Sequence, residues 1–498
     1  MNRFGKHRSL WGILLSAALL LQGCGIIVIN DADSVTRAPE ITDEAPETSA
    51  ALPDAPKVQK VDQSARYEAV SDAHLRRITS AGFQYDGETF FIAAPRTEMI
   101  ESDADASTYS AAIYRRNQRL QEALNIRILP SATDEASFYD LLNASIQADD
   151  YFSDLLMIPA YQIGTFALGG VLLNMRSLPL LDLSQPYFFA DSVTAATAGN
   201  SIYAAAGPAS FEETSLSAVF FNRDLFEENG LELPYRAVYD GTWTWDAFFT
   251  SCAQTDSINR YAAVNGIDPF SSYSSQYAAE LLPALAYATS GRPMIRCDAG
   301  SAPVVNISEE DADVLSVIAR LGSDPNAHKD TASGVSRFHT GKSLYLIDRL
   351  YLMSWMPNSR QNWGILPLPK MSVEQPHVTL TDPGTLFFAV QKNSGDVEKA
   401  SVVLSALNAA SYGVLSEAYV NYAMNELLRD NDSANMLAII SASRSYDFAL
   451  AFEHSINSLS DATTRGLSDL AGGLSVSSLL ARAAAANRQL SSRFPSPS

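Results

Sequence analysis

Cysteine and histidine are scarce in this chain, and basic residues are outnumbered. Three cysteines in 498 residues, Cys24, Cys252 and Cys297, are too few for a disulfide scaffold, so stability has to come from a buried core. Cys252 and Cys297 can form a bridge or remain separate buried thiols, and the sequence leaves both open. Of the six histidines, His328 and His339 are the closest pair in the globular part, too far apart for a common metal motif. There is no Gly-X-Ser-X-Gly elbow, no His-Glu-X-X-His helix and no glycine-rich phosphate loop. No metal, no cofactor and no catalytic residue is therefore expected. A pair of glycosidase carboxylates leaves no fixed spacing, so a glycan-acting surface enzyme stays as an alternative. With 35 basic against 56 acidic residues the net charge is −21. That field repels phosphates and excludes nucleic acid as a partner. It weighs less against a small anion, because a local pocket can override it.

Long apolar runs are also missing. Leu10 to Leu21 is too short to span as an ordinary membrane helix, and it follows Arg3, Lys6 and Arg8. Leu155 to Met175 carries no charge, yet Pro159, Gln162, Gly164, Gly169, Gly170 and Asn174 break it into strand, loop, short helix and turn.

The run Leu21-Gln22-Gly23-Cys24 resembles the cleavage region of a lipoprotein signal. It implies a signal peptide over 1–23 and acylation of Cys24, palmitate included, as the first mature residue. Several acyl chains make a stable anchor where one binds marginally. The alternative is a plain secretory peptide, and export follows from both. Losing Arg3, Lys6 and Arg8 takes the net charge from −21 to −24. Residues 24–63, rich in Ala, Pro, Thr, Asp and Glu beyond Asp31, have no apolar periodicity and are expected to form a disordered tether.

Beyond the tether the pattern alternates. Strands are expected at Thr89–Ala94, Asn125–Leu129 and Asp154–Ile158, with helices at Ser107–Leu124 and Ala136–Ala148 between them. The periodicity of the first helix rests on Tyr109, Ile113, Leu120 and Leu124. Such alternation implies a parallel sheet with right-handed crossovers, an α/β architecture. Ser217–Phe221 reads as a buried strand, followed by a helix that Asn222 caps and Asn229-Gly230 stops. Thr244 caps a further helix, Trp245–Cys252. Further on, Tyr277–Ala288 reads as a helix, Ser343–Ile347 as a strand leading into a helix, Thr385–Val390 as a strand, and Asp396 as the start of a helix to Ala409.

The sequence Phe221-Asn222-Arg223-Asp224-Leu225-Phe226, then Gly230-Leu231, Pro234 and Trp243-Thr244-Trp245-Asp246, resembles bacterial extracellular solute-binding proteins of family 1, the sugar-type receptors of ABC importers. Ala112–Ile128 and Asn362–Pro369 resemble matching segments. The resemblance implies a two-lobe, periplasmic-binding-protein-like (type II) fold. It implies a first lobe of 86–205 plus 336–370, a second of 217–335 plus 385–490, and a hinge near 206–221 and 370–390. It further implies capture of a small solute, a carbohydrate above all, and delivery to ABC permease subunits at the extracytoplasmic face of a cell membrane. A lipoprotein that senses solutes without transport is a further alternative.

Ligands of open parallel sheets bind beyond the carboxyl ends of the strands. That places Pro95-Arg96, Tyr161-Gln162, Glu212 to Ser215 and Asp348-Arg349 as candidates. The resemblance maps sugar contacts onto Tyr161, Gln162, Glu213, Thr214, Asp348 and Arg349. Trp355 can face the cleft or the core, whereas Trp243, Trp245 and Trp363 are expected in the core.

Overall fold

The computed structural model describes residues 64–494 except 132–133, 211–212, 278–280, 299–300, 357–358, 360 and 457. The signal-like segment, Cys24, the tether and Glu212 lie outside the described residues. Eight strands form two four-stranded sheets: β1 (Glu88–Ala93), β2 (Ile126–Pro130), β3 (Leu155–Pro159), β4 (Ser217–Asn222), β5 (Ser271–Ser274), β6 (Ser343–Arg349), β7 (Trp363–Leu366) and β8 (Leu386–Ala389).

The first sheet has the order β8-β3-β1-β2. β1 runs parallel to β2, with Phe90 opposite Ile128, and parallel to β3. The linking helices start where capping side chains stand. Ser107 accepts the Ser110 N–H ahead of helix Thr108–Leu124, and Asp134 accepts the Ser137 N–H ahead of helix Glu135–Ala148. Asn125, at φ 47°, closes the first of these helices in the left-handed conformation that asparagine tolerates. Tyr109, Ile113, Leu120 and Leu124 are all buried, as their spacing requires.

The second sheet, β7-β4-β6-β5, is mixed. All six residues of β4 are buried, and it lies antiparallel to both β6 and β7. Asn222 ends β4 and caps the next helix through the Leu225 N–H, while its amide donates to Gln361. Trp243, Trp245 and Trp363 are buried; the first two indoles donate to the Pro367 carbonyl and the Thr289 hydroxyl. Cys252 and Cys297 are free, and burial raises both thiol pKa values.

Three strand assignments change lobes. β6 and β7 were expected with the first sheet, but Tyr345 and Ile347 of β6 pair with Phe221 and Val219 of β4, and Trp363 of β7 pairs with Asn222 of β4. β8 was expected in the second lobe, but Phe387 pairs with Ile158 of β3. The C-terminal helices divide as well. Helices Val397–Ser411 and Val414–Tyr422 pack on helix 108–124 of the first sheet, and Asn431–Ala442 packs on β7. Helix Thr464–Ala471 packs on Leu281–Ala288 and Ala312–Ser323. Apolar runs of equal character serve both sheets, so only their hydrogen-bond partners assign them.

The chain passes between the sheets at 206–216 and 367–385, and bridges Ala205–Phe388 and Leu216–Thr381 hold these passages side by side. Gly207 is required there. A Cβ on it would stand 2.2 Å from Asn408 Oδ1 and 2.6 Å from the Tyr187 carbonyl.

Candidate functional site

The carboxyl ends of β1, β3 and β6 meet at one turn in the second passage, Asp382-Pro383-Gly384. The Asp382 carboxylate accepts the Gly384 N–H at 2.7 Å, which closes an Asx-type turn around Pro383. From the first sheet, Arg96 Nη2 donates to the Gly384 carbonyl at 3.4 Å and the Tyr161 N–H to the Pro383 carbonyl at 3.1 Å. From the second sheet, Arg349 Nη1 reaches Asp382 Oδ2 at 3.4 Å. Arg96, Tyr161 and Arg349, expected from three separate strand ends, are thus within one constellation.

Asp348 and Arg349 are the last residues of β6, opposite Ala218 and Ser217. Alternation along a strand sends consecutive side chains to opposite faces. Asp348 is completely buried and accepts the N–H groups of Gln276 and Arg349, each at 2.8 Å. Burial pushes its pKa up to about 6, against the pull of those two amides and of the Arg349 cation. Asp348 therefore holds the loop after β5 and does not itself face solvent. The Arg349 guanidinium lies 4.6 Å from the Tyr351 ring centre and 5.5 Å from that of Tyr277. Burial works against the cation, but Asp382 and the two phenols outweigh it and raise its pKa. Tyr277 donates to or accepts from Ser217 at 2.7 Å, and burial raises its phenol pKa against the pull of that bond.

β6 runs into a 3₁₀ turn, Leu350–Ser354, rather than the expected α-helix. This tight turn puts Tyr351 and Trp355 edge to face at 5.5 Å, with Trp355 44% exposed. An exposed indole beside a buried wall suits stacking on an apolar ligand face.

On the first sheet's side the Tyr161 hydroxyl meets that of Tyr139 at 3.0 Å, and its ring stands edge-on to His454 at 6.3 Å. Gln162 and Thr214 are half-buried. Glu213 departs from the expectation. It is fully buried, and its Oε2 accepts the Ser441 hydroxyl at 2.7 Å, so it joins the 3₁₀ turn Glu213–Ser215 to helix 431–442. Nearness in sequence to a passage between lobes does not make a residue face the cleft.

Asp382, Tyr139, Tyr277 and Tyr351 were not among the expected site residues. Asp382 had a readable signal, since Asp-Pro-Gly marks a tight turn between apolar strands. The tyrosines had none, because only folding brings 139, 277 and 351 near 382. No group of three or more His, Cys, Asp and Glu side chains suited to a metal occurs among the described residues. No helix among them is long and apolar enough to cross a membrane.

No protein-family model and no curated protein matches this sequence. Solved structures match over most of it. The maltose-binding periplasmic protein MalE of Listeria monocytogenes, in complex with maltose, aligns with a TM-score of 0.53 at 14% identity over 82% of this chain and 98% of its own. The galacto-N-biose/lacto-N-biose I-binding protein of a Bifidobacterium longum ABC transporter gives 0.52 at 12% identity over 82% and 98%. The sugar-binding protein MalE of Xanthomonas citri gives 0.52 at 14% over 81% and 98%. With its two sheets, paired passages and helical layers, the chain has the two-lobe α/β fold that these binding proteins share.

Proposed function

We propose that this protein is an extracytoplasmic solute-binding lipoprotein that captures a carbohydrate and delivers it to the permease subunits of an ABC importer. The observation that carries this proposal is the convergence of Arg96, Tyr161 and Arg349 on the Asp382–Gly384 turn, beside the aromatic wall of Tyr351 and Trp355. Polar donors fix hydroxyl groups, and ring faces stack on the apolar faces of sugars. The solved proteins of similar fold are named for binding sugars. Gln162 and Thr214 belong to the same rim in this proposal, and Asp348 acts from beneath it. The passages at 206–216 and 367–385 would serve as the hinge. A ligand touching both lobes only when they are closed favours that state. Cys24 would carry the lipid that holds the receptor at the outer face of the membrane.

The test is thermal unfolding of the full-length protein in detergent, against mono- and oligosaccharides with amino acids, peptides and polyamines as controls. Ligand that binds only the native state raises the midpoint with the logarithm of its concentration. A rise with a saccharide that is recovered unconsumed is the expected outcome. A rise only with a peptide or amine overturns the carbohydrate assignment, and hydrolysis of the saccharide overturns the receptor in favour of a glycan-acting enzyme.

A further inference from the structure

Arg349 is poorly satisfied for a guanidinium in a cleft. Nη1 makes a hydrogen bond of 3.4 Å to Asp382, and the Tyr351 phenol draws on the same cation. Asp348 stands 4.0 Å from Nε, beyond hydrogen-bonding distance, and this buried Nε has no hydrogen-bond partner among the described residues. The guanidinium lies near the Tyr351 and Tyr277 rings, 4.6 and 5.5 Å from their centres, and the side chain is 33% exposed. The carboxylate nearest it besides Asp382 has both oxygens occupied by backbone amides. A guanidinium held beside two tyrosines with donors unspent is suited to a planar anion and poorly matched to a lone hydroxyl. A second guanidinium, Arg96, reaches the same turn from the opposite sheet. Two arginines thus reach one turn of a chain of net charge −21, where Asp382 engages Arg349 at one nitrogen and Asp348 is taken up by backbone amides.

We infer that the solute is an acidic saccharide, a sugar bearing a carboxylate, and that Arg349 binds that carboxylate. This rests on the receptor function proposed above and names its ligand class. The ring faces of Tyr351 and Trp355 take the apolar side of the sugar, and the guanidinium edge takes the acid. Charge on the solute then decides between ligands of similar shape.

Calorimetric titration of the full-length protein in detergent tests it. The probes are galacturonate, digalacturonate and glucuronate, against galactose, glucose, maltose and lacto-N-biose, with sulfated galactose and acetate as further arms. At least one uronate is expected to bind, its neutral counterpart to bind about tenfold to a hundredfold more weakly, and acetate alone not to bind. Arg349→Met is expected to lose the uronate by a similar factor with an unfolding midpoint close to that of the parent. Asp382→Asn keeps Arg349 and frees it from its carboxylate partner, so the uronate should bind as tightly or more tightly. Binding of a neutral sugar but no uronate overturns this inference and leaves the receptor function standing. Binding of the sulfated sugar alone, uronate binding that survives Arg349→Met, or its loss in a folded Asp382→Asn protein each overturns the inference. Absence of binding by every saccharide overturns both.

Discussion

At the scale of single residues, two buried ionisable groups set measurable consequences. Asp348 has an ordinary pKa of 3.8 raised to about 6 by burial in the folded protein. A carboxyl group whose folded pKa is raised binds more protons native than unfolded across that interval, so stability falls as pH rises from about 4 to about 6. Asp447 adds to the same slope, being pushed up to about 7 by burial although backbone N–H groups of Ala449 and Met294 hold it. Asp348→Asn removes one contribution. Its stability deficit against the parent should be largest near pH 4 and shrink by up to about 2–3 kcal/mol by pH 7, measured by urea unfolding at each pH. A deficit independent of pH would show that Asp348 does not titrate as described. Arg116 is the opposite case, a buried cation without a carboxylate partner among the described residues. It donates to Asn117, Ser411 and the Met99 carbonyl, and burial lowers its pKa to about 10. Ser411 is the last residue of helix 397–411, so the partial negative charge of that helix end supplies some compensation. Arg116→Ala should cost about 3 kcal/mol in urea unfolding, through the void and the carbonyl left unsatisfied, and Arg116→Met distinctly less.

At the scale of elements, helix starts were the most legible feature. Asn222, Thr244 and Asp396 each accept the N–H three residues on, as the sequence of each start implies. Thr244→Ala should lower stability by about 1 kcal/mol, read from the denaturation midpoint. The six strands expected from the sequence lie within a residue or two of their positions, because short apolar runs bounded by turn residues have few other solutions, whereas β5, a Ser-Ser-Tyr-Ser run without apolar character, and β7 were not expected as strands. Packing between helices was not. Gly322 lies in helix 312–323 where a Cβ would stand 1.8 Å from the Ala471 carbonyl oxygen of helix 464–471. Nothing in the sequence around Gly322 announces that close approach. Gly322→Ala should force the two helices apart and cost about 2 kcal/mol, while Gly230→Ala, with open space around it, acts only through its φ of 64°. Comparison of the two variants by thermal unfolding separates crowding from backbone strain.

At the scale of the whole molecule, the proposed anchor and the proposed cleft are separable by experiment. Cys24→Ser should abolish palmitate incorporation and release the protein from the membrane fraction, while a shift of the unfolding midpoint by saccharide persists in the released protein. Retention of the variant in membranes would overturn the anchor. The sequence alone determined the charge balance, the alternation of strands and helices and the caps that start them, since each depends on composition or on neighbours within a turn or two of the chain. It also placed Arg96, Tyr161 and Arg349 at strand ends. Only the tertiary structure decided that β6 and β7 join the second sheet and β8 the first, that Glu213 is packed beneath helix 431–442, and that Asp382, Tyr277 and Tyr351 surround Arg349. The physical reason is the same in each case. Local propensity fixes what a segment becomes, but which buried surface it completes depends on partners far away in sequence, and those are chosen by hydrogen-bond pairing and by shape.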